Sequence, residues 1–345
     1  MKPLVTIAVP TLERLHYLKE AVASALAQSY LNVEIIIGDD GKEEAIKTWG
    51  TSIAADEPRV KYQRNGRRLG LAGNWNALAD AARGEFIAII GDDDRLLPHF
   101  VESLLEAALP DADVAFSNHY IIDGDGRRLA AESERCTRMY RRHTIPSGEV
   151  GNAAAAVWQN SVPMSAALIR TEYVRRLRFK EDLNTPELEL FARMAHEGAR
   201  FVFVPEYLAE YRSHSRSATS AGLRSERLVK YLTEIPVGAD VEPYKRELMS
   251  ALLVDAVSRC LRRNERGLAR QFLRHEYYPR PRLQKARRNG DARLSSAAPD
   301  RHSSARFLRD ALRGYAQELC AMLPAPFGCR AYRLAQSVGR VHQRR

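Results

Sequence analysis

The stretch EFIAIIGDDDRLLP, residues 85–98, decides how this chain is read. Phe86 to Ile90 form a continuous apolar run of the kind that makes a buried strand. One glycine later come three adjacent carboxylates, Asp92, Asp93 and Asp94. Like charges repel, and burying them without partners is very unfavourable. A core strand that ends this way either turns out into solvent or meets a cation. Further runs surround it. Residues 4–10 (LVTIAVP), 33–40 (VEIIIGDD), 59–65 (RVKYQRN) and 112–123 (ADVAFSNHYIID) read as strands. Residues 14–29, 72–84 and 97–109 carry helical patterns; Leu15, Leu18, Val22 and Leu26 set the first, Gly84 is the expected C-cap of the second, and Pro98 opens the third. Such alternation predicts an α/β fold, a mainly parallel central sheet flanked by helices. Ligands gather at the carboxyl ends of parallel strands. Asp39-Asp40 and the triple Asp are therefore expected on one edge, sharing a cleft.

Beyond the first 123 residues the pattern changes. Residues 124–150 are Arg-rich and read as a loop or hairpin; 161–177 give a strand and a short helix; 185–212 give a helix, a turn and a strand. Thr185 is the expected N-cap there and Pro186 the first helical residue. From Leu223 on the chain reads as helical, broken by a basic, Pro/Ser-rich connector at 278–304. The expected domains are 1–222 and 223–345, with no internal repeat. Composition is that of an ordinary globular protein, 45% hydrophobic and 28% charged. No apolar stretch approaches the roughly 18–20 residues of a membrane span, and the opening MKPLVTIAVP lacks a signal-peptide pattern, so a cytoplasmic location is expected. Cys136, Cys260, Cys320 and Cys329 form no CxxC pair and read as reduced thiols, with no zinc site.

The net charge of +10 is uneven. Residues 1–222 hold 27 Lys and Arg against 31 Asp and Glu, a balance of −4; residues 223–345 hold 26 against 12, a balance of +14. The basic third favours anionic partners. Clusters such as 259–288 suit a peripheral contact with an anionic membrane surface, at its inner face. No nucleic-acid partner is expected, and a homo-oligomer is left open.

At the triple Asp, Mg²⁺ or Mn²⁺ answers the charge, because hard divalent ions take carboxylate oxygens and complete their shells with phosphate and water. Alternate residues of a strand point the same way, which pairs Asp92 with Asp94. Asp39-Asp40-Gly41 is ordinary turn chemistry taken alone.

The ordered set VTIAVPT, AVASALAQSY, EIIIGDDG, NWNALADAARGEFIAIIGDDDRLLP, ELELFARMAHEG and YLAEYRSH, within residues 3–220, resembles the family 2 glycosyltransferases of the GT-A fold. The resemblance implies an inverting transfer from a nucleotide-diphosphate sugar donor to a hydroxyl of a saccharide or lipid-linked acceptor. It implies that Pro10, Thr11 and Glu13 touch the nucleotide, that Asp39 reads the base with Asp40 beside it, and that Asn74 and Asn76 lie near the nucleotide sugar. Asp92 and Asp94 match the metal motif with Asp93 between them, although the family often has an Asp where this chain has Gly91. His214 matches a position near the diphosphate or metal, and Arg212 and Arg216 beside it would form an anion patch. The matching general base is Glu187, six residues before Arg193, where the family more often has Asp; Glu189 and Asp182 remain candidates. Helical spacing leaves the choice open, since Glu187 and Glu189 flank the same core face. Trp158 and Asn160 could line an acceptor site. The rivals are a nucleotide-sugar-forming nucleotidyltransferase, disfavoured by the absence of glycine from VPTLERLHYL, and a non-catalytic membrane- or polyanion-binding protein on the same fold.

Overall fold

Four strands build the edge on which the acids sit: β1 (Val5–Thr11), β2 (Val33–Asp39), β3 (Val60–Arg64) and β4 (Phe86–Ile89). They run parallel in the order β3-β2-β1-β4. Val5, Ile7, Ala8 and Val9 of β1, Ile35, Ile36 and Ile37 of β2 and all of β4 are buried and apolar, as a sheet covered by helices on both sides requires, with Thr6 and Glu34 as buried polar exceptions, while edge strand β3 also carries Lys61, Gln63 and Arg64. Helix α1 (Leu15–Leu26) buries Leu18, Ala21, Val22 and Ala25; α3 (Gly70–Ala81) buries Ala72, Leu78 and Ala79. The computed structural model describes residues 2–108, 110–214 and 224–279.

The sheet continues through mixed pairing. β8 (Ala167–Arg170) is antiparallel to β4 and to β6 (Val114–Ile122); β9 (Phe201–Arg212) is parallel to β6, and the two-residue strands β5 (Arg95–Leu96) and β7 (Gly148–Glu149) are antiparallel to β9. Nine strands thus form one sheet among the described residues. The helices on this side are α4 (Phe100–Ala108), α5 (Ala130–Met139), α6 (Ala153–Trp158), α7 (Thr171–Leu177) and α8 (Glu187–His196). α9 (Ser225–Thr233), α10 (Glu242–Arg262) and α11 (Arg266–Arg274) follow, the helical reading of that region.

Several local expectations are corrected. Residues 124–150 hold helix α5, a 3₁₀ turn at Arg142–Thr144 and β7, not only loop. A helix unread in the sequence, α2 (Glu44–Asp56), lies between β2 and β3. Helix α3 ends at Ala81, before Gly84; a Cβ on Gly84 would come 2.5 Å from the Thr6 amide nitrogen, so this glycine serves close backbone approach rather than capping. Helix α8 begins one residue late, with Pro186 as N-cap in place of Thr185.

The described residues fall into two compact units, divided between Leu248 and Met249. In the second, Leu252, Leu253, Ala256, Val257 and Cys260 are buried, as are Ala269 and Phe272, and the Ser250 hydroxyl donates to the Tyr277 carbonyl at 2.8 Å. Cys136 and Cys260 are buried free thiols. Arg216, Cys320, Cys329 and all but the first two residues of the connector lie outside the described residues. Among the described residues no helix is long and apolar enough to cross a membrane.

Candidate functional site

β1 and β4 are parallel neighbours in the order β3-β2-β1-β4, so their carboxyl ends lie on one edge, where ligands gather in such sheets. The residues after β1 and those after β4 meet there. Thr11, which pairs in register with Asp39, donates its hydroxyl to Asp92 Oδ2 at 2.7 Å, and the Leu12 amide reaches the same oxygen at 3.3 Å. The predicted sharing of one edge by the two acid groups is therefore seen, with Thr11 between them.

Glu13 follows in a left-handed conformation, φ 58°. The next residue, Arg14, forks the acids: one guanidinium nitrogen bonds Asp92 Oδ1 and the other bonds Asp93 Oδ2 at 2.6 Å. Burial opposes the Arg14 charge, but Asp92 and Asp93 outweigh it and raise its pKa. Burial lifts Asp92 to about 6 despite Arg14. The cation demanded by the sequence is thus supplied in part by the chain itself, through a residue that sequence reasoning did not select. Its signal was proximity: Arg14 lies three residues beyond Thr11, in the loop already assigned to the nucleotide.

His214, at the end of β9, places Nε2 2.8 Å from Asp93 Oδ2 and 3.5 Å from the Arg14 guanidinium. Asp94 does not join them. Its carboxylate is 4% exposed, accepts from the Arg212 amide at 2.9 Å, and is held protonated to higher pH by burial. The sequence-based pairing of Asp92 with Asp94 assumed a continuing strand. The chain instead turns, with the Asp94 amide bonded to the Gly91 carbonyl at 3.0 Å, so alternation no longer applies. Any side chain at Gly91 would meet the Asp93 carboxylate at 2.6 Å, which accounts for glycine there in this arrangement. Arg212 also departs from its expected role in an anion patch. It is 1% exposed and bonds the Asp93, Asp123 and Gly124 carbonyls and Glu20.

The second acid group is equally occupied. Asp39 Oδ2 accepts from Tyr62 at 2.6 Å and Arg64 at 2.8 Å, and Oδ1 accepts from the Gly41 amide. Asp40 bonds Asn65 and the amides of Leu69 and Gly70 at 2.7 and 2.8 Å, so it caps the N-terminus of α3 from thirty residues away. Asn74 ties Asn65 to the Gly38 carbonyl. Asn76 grips both peptide groups of Phe179, at 3.0 and 2.9 Å, and so fixes the loop that leads to α8. Pro10 is the penultimate residue of β1.

Of the three candidate bases, Glu189 is 2% exposed and doubly bonded to Arg193, both contacts at 2.7 Å, while Arg193 also holds the Leu177 and Arg178 carbonyls. Asp182 accepts from Tyr231 at 2.9 Å and anchors α9. Glu187 stands apart. It sits at the first position of α8, partly exposed, and its carboxylate bonds no other described residue. Desolvation raises its pKa to about 7. Trp158 is 2% exposed, with the Lys245 ammonium 5.2 Å over its ring, so it is a core residue in this arrangement. Asn160 occupies a left-handed turn, φ 57°.

A divalent cation fits one pair of these groups. Asp93 offers a carboxylate oxygen and His214 an imidazole nitrogen on side chains that are each 12% exposed. Among the described residues no three Asp, Glu, His or Cys side chains converge as a cage. Two protein donors with positions left for phosphate and water is how Mg²⁺ commonly binds, and carboxylate with imidazole suits Mn²⁺.

Comparison with known proteins adds the following. Residues 6–173 match the family model described as glycosyl transferase family 2. The chain is 26% identical over 225 residues to the glycosyltransferase GlyG of Streptococcus pneumoniae serotype 4, covering 63% of this chain and 73% of that protein. It is 34% identical over 107 residues to the GalNAc(5)-diNAcBac-PP-undecaprenol beta-1,3-glucosyltransferase of Campylobacter jejuni, 31% of this chain and 35% of that protein. The fold matches the mannosyltransferase PcManGT of Pyrobaculum calidifontis, solved with GDP-Man and Mn²⁺, with a TM-score of 0.59 at 15% identity over 100% of this chain and 89% of that one.

Proposed function

Residues 6–173 belong to glycosyl transferase family 2, and from that premise we propose that this enzyme moves a sugar, with inversion and with Mg²⁺ or Mn²⁺, from a nucleotide-diphosphate donor to a hydroxyl of a saccharide or lipid-linked glycan of the cell envelope. The observation that carries the reading is the meeting of Asp93 with His214, 121 residues apart in sequence, beyond the carboxyl end of β4. The relatives' names support the class of acceptor, and the complexed neighbour supports the class of donor and metal. A nucleotidyltransferase or a non-catalytic role finds no such support.

In this reading the nucleoside lies along the carboxyl edge, with Asp39 and its partners Tyr62 and Arg64 toward the base and Thr11 and Glu13 toward the phosphates. Asp93 and His214 would hold the cation. When bound there, it offsets the charge that develops on the leaving diphosphate. Asp92, through Thr11 and the Leu12 amide, keeps the loops after β1 and β4 at a fixed separation. Asp94 holds the backbone of Arg212 and thereby the approach of His214. Asn74 and Asp40 fix the start of α3. Glu187 takes the acceptor proton as its oxygen attacks the anomeric carbon; a carboxyl with a pKa near 7 is suited to that at neutral pH. Attack from the face opposite the leaving group inverts the anomeric centre. Residues 1–222 form the catalytic part, and the basic region 223–345 meets an anionic membrane at its cytoplasmic face, where a lipid-linked acceptor would lie.

The test is turnover of a panel of nucleotide sugars with Mn²⁺ and with EDTA, followed by the anomeric configuration of the product. Transfer that needs the metal and inverts the centre supports the reading. Retention, or full activity in EDTA, overturns it.

A further inference from the structure

Arg14 holds the atoms that a divalent cation would take. Its guanidinium lies 2.6 Å from Asp93 Oδ2 and 3.5 Å from His214 Nε2, while its second nitrogen binds Asp92. Those two atoms, 2.8 Å apart, are the donors to which the cation was assigned. A guanidinium and a metal ion cannot share them, since they would compete for the same lone pairs and repel each other. Beside Arg14 opens a cleft of about 650 Å³ lined by Glu13, His16, Lys19 and His214 as well. Arg14 is the N-cap residue of α1 and makes no side-chain capping bond, so nothing in the helix ties its side chain to the acids. Its side chain is 20% exposed, on the cleft side of the pair.

We propose that Arg14 is a resident counterion that the metal displaces only together with a diphosphate. In the free enzyme it neutralises Asp92 and Asp93 and keeps metal alone from binding well. When the metal arrives with its nucleotide, the guanidinium turns into the cleft and forks the phosphate oxygens, a geometry it matches as well as it matches carboxylates. Metal and nucleotide are thereby coupled, and by linkage each tightens the other. This rests on the donor and metal reading above.

The experiment is calorimetric titration of the full chain with Mn²⁺ alone, with UDP or GDP alone, and with Mn²⁺ at saturating UDP or GDP, repeated on Arg14→Ala and Arg14→Gln. Circular dichroism checks that each variant is folded. The wild type is expected to bind Mn²⁺ about tenfold or more tightly with a nucleotide present than without it. Both variants should bind Mn²⁺ alone about tenfold more tightly than the wild type, bind nucleotide alone more weakly, and lose most of the coupling. If the wild type shows the coupling and both variants bind Mn²⁺ alone no more tightly than it does, the counterion role of Arg14 fails while the metal site stands. If no protein binds Mn²⁺ with either nucleotide, the metal reading itself falls and takes this inference with it.

Discussion

The parallel half of the sheet and the first position of α8 treat their acids in opposite ways. Glu34 on β2 is almost fully buried, yet Lys61, the Arg83 amide and Thr6 all donate to it and hold its pKa at about 2 against the upward push of burial. Asp39, Asp40, Asp92 and Asp93 are also matched by donors or cations. Glu187, at the head of α8, has none of this, and burial carries it upward to about 7. The difference separates two kinds of work. Acids with partners hold geometry and charge in place, whereas an acid without partners leaves its lone pairs open.

The largest expected effect strikes the one well-partnered acid that this view also assigns to chemistry. Asp93→Ala should lower kcat by about 10³-fold with little change in melting temperature, since it removes charge stabilisation at the leaving group; a loss under tenfold would place the metal elsewhere. Glu187→Gln comes next, with kcat down by about 10²–10³-fold and donor affinity unchanged. Wild-type kcat/KM should rise with pH through a midpoint near 7, because only the deprotonated carboxylate accepts a proton, and the variant should lack that limb. Should Glu189→Gln abolish the limb instead, the roles are reversed.

Stability sharpens the same contrast through opposite signs. Glu34→Gln should cost about 2–3 kcal/mol at pH 7 in urea unfolding. The folded pKa lies below the unfolded one, so this stabilisation is full above about pH 4.5 and disappears as the pH falls through 2. Glu187→Gln should instead stabilise the protein, by about 1–2 kcal/mol at pH 8 after allowing for partial exposure. Here the folded pKa lies above the unfolded one, so the cost of charging Glu187 is absent at pH 4 and grows up to pH 7. Smallest is Asp40→Ala, which uncaps α3 for about 1 kcal/mol, read as a lower urea midpoint at unchanged slope.

What could be read in the sequence followed from where apolar periodicity was strong. Strands β1 to β4 and the shared acid edge were legible because parallel strands place their ends together, whereas His214 beside the acids was expected only from the family resemblance. Helix α2 was not, since Ile46 and Gly50 are its only fully buried residues and a glycine in mid-helix reads as a break. Gly50 is there because a Cβ would come within 2.3 Å of the Tyr62 ring. Helix α5 was hidden because its buried face is Ser133, Cys136 and Thr137, too polar to mark a core side. Within the site, the contact of His214 with Asp93 and not with Asp94 turns on a single backbone turn at Gly91, and the contacts of Arg14 on a rotamer. Neither leaves a periodic trace.

Three successive residues, Leu177, Arg178 and Phe179, are held largely by groups that touch only main-chain atoms: Arg193 on the first two carbonyls and Asn76 on both sides of the third residue. A hold of that kind fixes position while largely ignoring spelling. The exposed side chain that follows at Glu181 can therefore change without shifting the helix that carries Glu187. A scaffold fastened in this way can exchange one acceptor for another while its donor machinery is inherited unchanged.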